Sequence, residues 1–181
     1  MGFHLSKLLI HRGQGVTLLE MLVYITLVSI LVLAFVGFAL DVIGTAQKAR
    51  VKQEVQQNAR FAMARMIYEI RSANGLNTGS STFGSHPGVL SLATSTPVTN
   101  PTVFDVSNGR LRIKQGASAA QDLTSSKLTV SNLVFTNRSV SGRTSNVKIE
   151  LTIEHPNPEN IEIFDVAVSL KGSAVIRKSG N

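Results

Sequence analysis

The chain has 181 residues, of which 43% are hydrophobic, a formal net charge of +7 and no cysteine. This length leaves room for one small soluble domain beside a membrane segment, and the lack of cysteine excludes disulfides and thiol chemistry. The basic residues are spread along the chain with few aromatic residues beside them, which argues against a nucleic-acid-binding stripe.

A long apolar run follows a short basic leader. Residues 1–15 form the leader and end in Gly15, and residues 16–40 read VTLLEMLVYITLVSILVLAFVGFAL, with Glu20 as their only charge. As a helix this run would be about 37 Å long, more than the ~30 Å of a bilayer's hydrocarbon core. A charged side chain in such a segment is costly and commonly has a function. The sequence therefore predicts a transmembrane segment over 16–40 and makes Glu20 a candidate functional residue.

The stretch Gly15-Val16-Thr17-Leu18-Leu19-Glu20 resembles the processing signal of type IV pilins and type II secretion pseudopilins. In that family a basic leader ends in Gly, and the mature chain has a hydrophobic first residue, Thr second and Glu fifth. Phe is the more common first residue, so Val16 is a departure. The resemblance implies that a membrane prepilin peptidase removes residues 1–15 by cutting between Gly15 and Val16. It also implies methylation of the Val16 amine and assembly into a helical filament.

The resemblance further implies that Thr17 and Glu20 serve processing and assembly. Cleavage before Val16 would expose an ammonium group in apolar surroundings, where an opposite charge of good geometry can neutralise it. By resemblance to pilin filaments, Glu20 would contact the amino terminus of a neighbouring subunit and fix its stagger. The alternative is that Glu20 only stabilises the helix N-terminus through the helix dipole.

Two other membrane interpretations account for less of the sequence. A secretory signal peptide has an apolar core of about 7–15 residues before its cleavage site, and Gly37-Phe38-Ala39 offers such a site after a longer run that contains Glu20. A plain signal anchor tolerates the length but gives no role to Gly15 or Glu20. Basic residues lie on both sides of the run, so an exterior head follows from the resemblance alone.

The apolar run passes into an amphipathic segment without a break. Asn74-Gly75 is a helix stop signal, so one helix is predicted over 16–73, with Gly37 and Gly44 as its weak points. Apolar residues in its second half recur at steps of three and four, which indicates one buried face. These residues are Val51, Val55, Ala59, Ala62, Met66, Ile70 and Ala73.

Residues 56–73 read QQNARFAMARMIYEIRSA. They resemble the segment that follows the membrane span in PilW-type minor pilins and J-type pseudopilins, where an ENARFAL string and a later IR-x-A are common. In this sequence Arg65 and Glu69 also stand four residues apart, the spacing of a helical ion pair. The resemblance covers about the first 75 residues well and the rest only in outline.

The remainder, 74–181, is predicted to be a globular β head. Residues 76–100 have loop composition with one short apolar stretch at 89–92, and Ser107-Asn108-Gly109 is a hairpin turn signal. The predicted fold class is α+β: a long helix, transmembrane in its first half and amphipathic in its second, packed on an antiparallel sheet, as in the pilin fold. Alternation and turn signals predict strands over 102–106, 111–114, 128–136, 147–154, 161–170 and 173–177.

The predicted head contains no catalytic constellation, and we expect no enzyme activity, cofactor or bound metal. The histidines lack partners at zinc-ligand spacing and are interpreted as solvated; they are His4, His11, His86 and His155. A calcium site is one interpretation of the acidic residues over 150–165, but a solvated strand face fits better because no dense Asp/Asn/Gly ligand loop is present. These residues are Glu150, Glu154, Glu159, Glu162 and Asp165.

The predicted function is therefore that of a structural subunit, a minor pilin or pseudopilin precursor built into a type IV pilus-like filament near its tip. Expected partners are the prepilin peptidase, other pilins or pseudopilins, the inner-membrane assembly platform and membrane lipid. The expected location is the inner membrane, as a single-pass precursor with the head outside, and then the filament. Alternatives are a pseudopilin of a type II secretion or DNA-uptake machine, a membrane-anchored β-domain that does not assemble, and a secreted soluble protein.

Overall fold

The computed structural model describes residues 15–140, 145–157, 159, 161 and 164–176. Within these residues there is one α-helix, α1, which spans Leu18–Ser72 and precedes the strands. The chain divides into two compact units, Met1–Ile43 and Gly44–Asn181. Most of the predicted leader, residues 1–14 with His4 and His11, lies outside the described residues.

The first part of α1 is apolar and exposed. The most apolar 18-residue window of the helix has a mean hydropathy of 2.6 and no buried residue, so length and composition allow it to cross a membrane. Its hydroxyl groups are satisfied locally, because Thr26 Oγ1 donates to the Val23 carbonyl and Ser29 Oγ to the Ile25 carbonyl. The helix continues through Gly37 and through Gly44, the predicted weak points.

The second part of α1 buries the predicted apolar face. Of the seven predicted residues, Val51 is half-buried and the other six are buried in the core of the second unit. Met63 and Glu69 join that face, as the helical period allows for neighbours of predicted positions. The predicted Arg65–Glu69 ion pair is confirmed, with Nη2 and Oε1 separated by 2.7 Å.

The strands form two antiparallel sheets where the sequence predicted one. A five-stranded sheet has the order β1-β2-β3-β4-β5, and a three-stranded sheet has the order β6-β7-β8. One-turn 3₁₀ helices occupy Thr78–Ser80 and Pro97–Thr99. The strands are β1 Gly75–Leu76, β2 Leu90–Ala93, β3 Thr102–Ser107, β4 Arg110–Gln115, β5 Gln121–Asp122, β6 Thr129–Asn137, β7 Asn146–Glu154 and β8 Ala167–Val175.

The predicted hairpin turn joins β3 to β4. Asn108 and Gly109 have φ angles of 51° and 71°, both in the left-handed region that a two-residue hairpin loop requires. Ser107 and Arg110 are paired directly across the turn. The prediction of this turn, and of the two strands that it joins, is confirmed to within one residue at each end.

The predicted strand over 161–170 is wrong in its first half. Ile161 and Phe164 lie outside any strand, and β8 begins only at Ala167. The reason is that the backbone of Ile161 forms two hydrogen bonds with the side chain of Asn157. Its N–H donates to Asn157 Oδ1 at 2.8 Å, and its carbonyl accepts from Asn157 Nδ2 at 2.9 Å. These groups are therefore not available to a sheet ladder. The last predicted strand, 173–177, is the end of β8 as far as Val175, and Arg177 lies outside the described residues.

The interpretation of His86 as an exposed loop histidine is confirmed, whereas that of His155 as solvated is corrected because its side chain is half-buried. His86 is exposed, but its Nδ1 accepts the backbone N–H of Leu133 in β6 at 2.9 Å. His155 is half-buried and stacks on Phe164 with ring centroids 4.9 Å apart. Both rings therefore contribute contacts within the head.

The acidic residues of β7 lie on a solvated strand face, as predicted. Glu150 and Glu154 alternate with buried apolar residues of the same strand. Glu150 Oε1 lies 2.7 Å from Lys148 Nζ and 3.6 Å from Lys171 Nζ. Within the described residues, no group of three or more acidic or histidine side chains could hold a metal ion. Glu162, also part of the predicted acidic region, lies outside them.

Candidate processing and assembly site

The candidate site lies where α1 begins. Gly15, Val16 and Thr17 precede the helix, and Glu20 lies in its first turn. The Glu20 N–H donates to Thr17 Oγ1 at 3.2 Å, and the Met21 N–H donates to the Thr17 carbonyl at 3.1 Å. Thr17 therefore occupies the N-cap position, where a side-chain oxygen satisfies a backbone donor that the helix leaves free.

Thr17 and Glu20 have the spacing of a capping box, Thr-x-x-Glu. The family resemblance gave Thr17 a role without this cap, although the Thr-x-x-Glu signal can be read from four consecutive residues. The cap has a consequence for the preceding peptide bond. Because α1 starts only after Thr17, the bond between Gly15 and Val16 lies outside the helix, and both residues are exposed.

Gly15 has no steric neighbour among the residues that the structure describes. A Cβ placed on it would meet no atom within 4 Å, and its φ angle is not in the left-handed region. Nothing in the described part of the chain therefore requires glycine at position 15. A requirement for glycine there would have to come from a binding partner that approaches the backbone closely.

The carboxylate of Glu20 has one hydrogen bond within the described residues. Tyr24 Oη, one turn along the helix, donates to Glu20 Oε1 at 3.4 Å, and both side chains are exposed. The carboxylate thus retains most of its capacity to accept hydrogen bonds from another group. The helix cap is formed by the Thr17 hydroxyl, so the carboxylate itself is not needed to satisfy the Glu20 N–H.

The surroundings of Glu20 are apolar. Its neighbours along the first turns of α1 are exposed hydrophobic side chains, and no other charged residue occurs in residues 16–40. A carboxylate on such a surface attracts a cationic group strongly when the surface is removed from water. The exposed neighbours are Leu18, Leu19, Met21, Leu22 and Val23.

A comparison with protein families finds a match over this part of the chain. The family model described as the prokaryotic N-terminal methylation motif matches residues 10–36, which include Gly15, Thr17 and Glu20. The match supports a type IV pilin-like precursor that is processed by prepilin peptidase and assembles with other pilins. Such proteins are structural and typically have no enzyme activity. No curated protein and no solved structure matches the chain significantly.

The fold agrees with that class as well. A long apolar N-terminal helix followed by antiparallel sheet is the α+β layout of pilin-like proteins. Together, the motif and the apolar helix fit a membrane-anchored precursor that is later incorporated into a filament. The family match ends at residue 36, so the head contributes to this assignment through its fold alone.

Proposed function

We propose that this chain is the precursor of a minor pilin or pseudopilin that is cleaved between Gly15 and Val16, methylated on Val16 and assembled near the tip of a type IV pilus-like filament. The observation that carries the proposal is the coincidence of three features in one short segment at the start of α1. Within it, the methylation-motif match, the Thr17 cap and the lone carboxylate of Glu20 coincide.

The start of α1 supports cleavage between Gly15 and Val16. A protease binds a peptide in an extended conformation, so the bond that it cuts cannot be part of a helix. Thr17 caps the helix two residues after Gly15, so the bond between Gly15 and Val16 lies outside the helix and is exposed. Among the described residues there is no steric reason for glycine at position 15, which fits a requirement set by the peptidase.

Glu20 is the residue that we assign to assembly. Cleavage leaves an ammonium group on Val16, and methylation keeps that positive charge. Within a filament, the apolar surface of α1 would be removed from water, where an unpaired charge is costly and an opposite charge offsets much of that cost. The Glu20 carboxylate of one subunit and the Val16 amine of its neighbour form such a pair, and this pairing sets the axial register.

Partners and location follow from these steps. The partners are the prepilin peptidase, other pilins or pseudopilins, the inner-membrane assembly platform and membrane lipid. The precursor resides in the inner membrane with its head outside. The minor rank and the position near the tip are supported by the resemblance of residues 56–73 to PilW-type and J-type sequences.

Mass spectrometry of the amino terminus tests the proposal. Protein extracted from the membrane should begin at Val16 with one added methyl group, and protein from a strain without prepilin peptidase should begin at Met1. A wild-type terminus at Met1, or at Leu40 after a conventional signal-peptide cut, would overturn the proposal. Correct processing without recovery in any filament would favour the membrane-anchored β-domain instead.

A further inference from the structure

The two edges of the three-stranded sheet differ. At the β6 edge, residues 84–88 run beside the strand and bond to its outward backbone groups. The Gly84 N–H donates to the Phe135 carbonyl at 2.8 Å, and the Gly88 N–H donates to the Leu133 carbonyl at 2.9 Å. At the other edge, β8 pairs with β7 on one side. Within the described residues, no segment bonds to the other side of β8.

The register of β8 on β7 indicates which backbone groups face the open edge. The His155 N–H donates to the Val166 carbonyl just before β8, and the Ile176 N–H donates to the Ser145 carbonyl just after it. The register between these bonds is continuous, and hydrogen-bonded pairs alternate along an antiparallel ladder. The even-numbered residues of β8 therefore bond to β7, and the odd-numbered residues direct their N–H and C=O groups outward. The odd-numbered residues are Ala167, Ser169, Lys171, Ser173 and Val175.

β8 has few of the features that prevent an edge strand from pairing. Such strands are commonly short, bent by a bulge, or interrupted by Pro or charged residues. β8 is nine residues long, pairs with β7 without a bulge and contains no Pro. Its only charged residue is Lys171, whose Nζ lies 3.6 Å from Glu150 Oε1 of β7. By contrast, the edge strands of the five-stranded sheet, β1 and β5, have two residues each.

The core face of β8 is incompletely covered. Val168 and Leu170 pack against the core but are only half-buried. Their partners on β7, Ile153 and Leu151, are fully buried. The difference arises because β7 lies between two strands, whereas β8 has a neighbouring strand on one side only. A further strand beside β8 would cover Val168 and Leu170 with its own apolar side chains at alternate positions.

The charge of Lys171 favours a strand of different sequence over a second copy of β8. If two copies paired antiparallel, the register that uses all nine residues would set Lys171 opposite Lys171, and like charges directly opposite are destabilising. A strand with Asp or Glu at that position would instead face Lys171 as Glu150 does from β7.

We propose that the open edge of β8 binds an extended segment of another protein by β-strand addition. In that segment, apolar residues at alternate positions contact Val168 and Leu170, and a carboxylate on the opposite face pairs with Lys171. In this binding mode the main-chain hydrogen bonds give affinity and the alternate side chains give specificity. The inference concerns the second unit alone and does not depend on cleavage after Gly15.

Photo-crosslinking of the full chain in its native membranes tests the proposal. A benzophenone amino acid replaces Ser169 or, separately, Ser173, which lie on the same face of β8. Both positions should crosslink to one peptide of one other protein, at sites about four residues apart, because paired strands match residue for residue. That peptide should alternate apolar and polar residues and have Asp or Glu between the two sites. The control position is Val98, 75% exposed on a 3₁₀ helix of the head, and should give no such adduct.

Proline substitution separates main-chain pairing from a side-chain contact. Ser173→Pro removes an outward N–H but no hydrogen bond to β7, so the head should remain folded. The adduct from position 169 should fall about tenfold or more, because the added strand loses a ladder hydrogen bond and meets the proline ring. Ser173→Ala keeps the N–H and should leave the yield unchanged. Hydrogen exchange of the β7 amides in the same strains reports whether the ladder between β7 and β8 is intact.

Ser169→Pro, with the benzophenone at position 173, repeats the comparison if Ser173→Pro disturbs the β7 amides. The positions of the two crosslinks in the partner peptide test the pairing without any proline variant. The proposal would be overturned by an adduct with a second copy, by crosslinks to unrelated sites, or by no protein adduct at either position. Equal yields from the proline and alanine variants would overturn it as well.

Discussion

Met63 of α1 and Gly172 of β8 are in such close contact that a Cβ placed on Gly172 would lie 2.9 Å from Met63 Sδ. The same Cβ would lie 3.4 Å from Ile67 Cδ1, on the next turn of the helix. At Gly172, therefore, α1 lies directly against the backbone of β8. Glycine at this position allows the close approach of helix and strand.

Gly172→Val should therefore destabilise the second unit. The added side chain must displace the flexible end of Met63, and we expect a loss of about 1 kcal/mol in the free energy of unfolding, despite the higher strand propensity of Val. Chemical denaturation of detergent-extracted protein, followed by circular dichroism, measures this loss. Gly79→Val is the control, because a Cβ there meets nothing within 4 Å. If overlap is the cause, the loss should shrink in a Met63→Ala background, and an equal loss in both backgrounds would contradict it.

Gly15→Val should leave an unprocessed precursor. The described residues leave room for a side chain at Gly15, so a processing defect would indicate that the peptidase requires the glycine. Immunoblotting and intact mass of the membrane fraction report the length of the chain. Gly13→Val, the same change two residues earlier, is the matched control and should be processed. Recovery of mature protein from Gly15→Val at the normal level would indicate a different protease.

Glu20→Leu should be processed normally but incorporated poorly into filaments. Its backbone N–H still donates to Thr17 Oγ1, so the helix cap survives and only the carboxylate is lost. If the carboxylate acted solely through the helix dipole, the change would alter helix stability by about 0.3–1 kcal/mol and leave assembly intact. Sheared surface filaments and crosslinks to other pilins, compared with those of wild type, decide between the two roles. Thr17→Val, which removes the cap and keeps the carboxylate, is the reciprocal variant.

His86→Ala should reduce the protection of the Leu133 amide in β6, because it removes the hydrogen-bond acceptor of that amide. The ring of His86 accepts the Leu133 N–H, and its loss leaves that donor to water at a cost of about 0.5–1.5 kcal/mol. Hydrogen exchange of the Leu133 amide should accelerate. His86→Asn should restore slow exchange, because the amide oxygen of Asn can take the place of Nδ1. Equal exchange rates in wild type and His86→Ala would show that this hydrogen bond does not protect the strand.

Glu150 should contribute to stability in a pH-dependent way. The hydrogen bond and charge of Lys148 lower the pKa of Glu150 below its ordinary value of 4.5, and Lys171 adds to the effect. Because the folded-state pKa is the lower one, this contribution is complete above about pH 4.5 and is lost as the pH falls through the folded-state value. Lys148→Met should raise the pKa of Glu150 in an NMR titration of its carboxyl group. Lys127→Met is the control variant and should leave it unchanged.

Features encoded by neighbouring residues were predictable from the sequence. The buried face of α1 follows from a 3.6-residue period, and the hairpin turn from the dipeptide Asn108-Gly109, whose backbone reaches the left-handed region easily. The Thr17 cap is equally local and could have been predicted from the Thr-x-x-Glu spacing. The strand predicted from local pattern at Ile161 was wrong because the side chain of Asn157 accepts a hydrogen bond from the Ile161 backbone N–H.

Features that join distant residues were not predictable. The hydrogen bond between His86 and Leu133 links residues 47 positions apart, and the division of the strands into two sheets depends on which strands pair. No periodic signal in a single sequence specifies those pairings. At the candidate site, the family motif identified Gly15 and Glu20 from the sequence, and the structure added the distance of 3.2 Å between the Glu20 nitrogen and Thr17 Oγ1.

The burial of the second half of α1 has a practical consequence for recombinant production. Val55, Ala59, Met66 and Ile70 are fully buried among the strands, so they belong to the hydrophobic core of the head. A truncated protein that starts at residue 74 would omit them and expose the apolar inner faces of both sheets to water. A chain that starts at Gly44, the first residue of the second compact unit, keeps these side chains and omits the lipid-compatible segment. That shorter chain is the form to express for crystallisation or NMR without detergent.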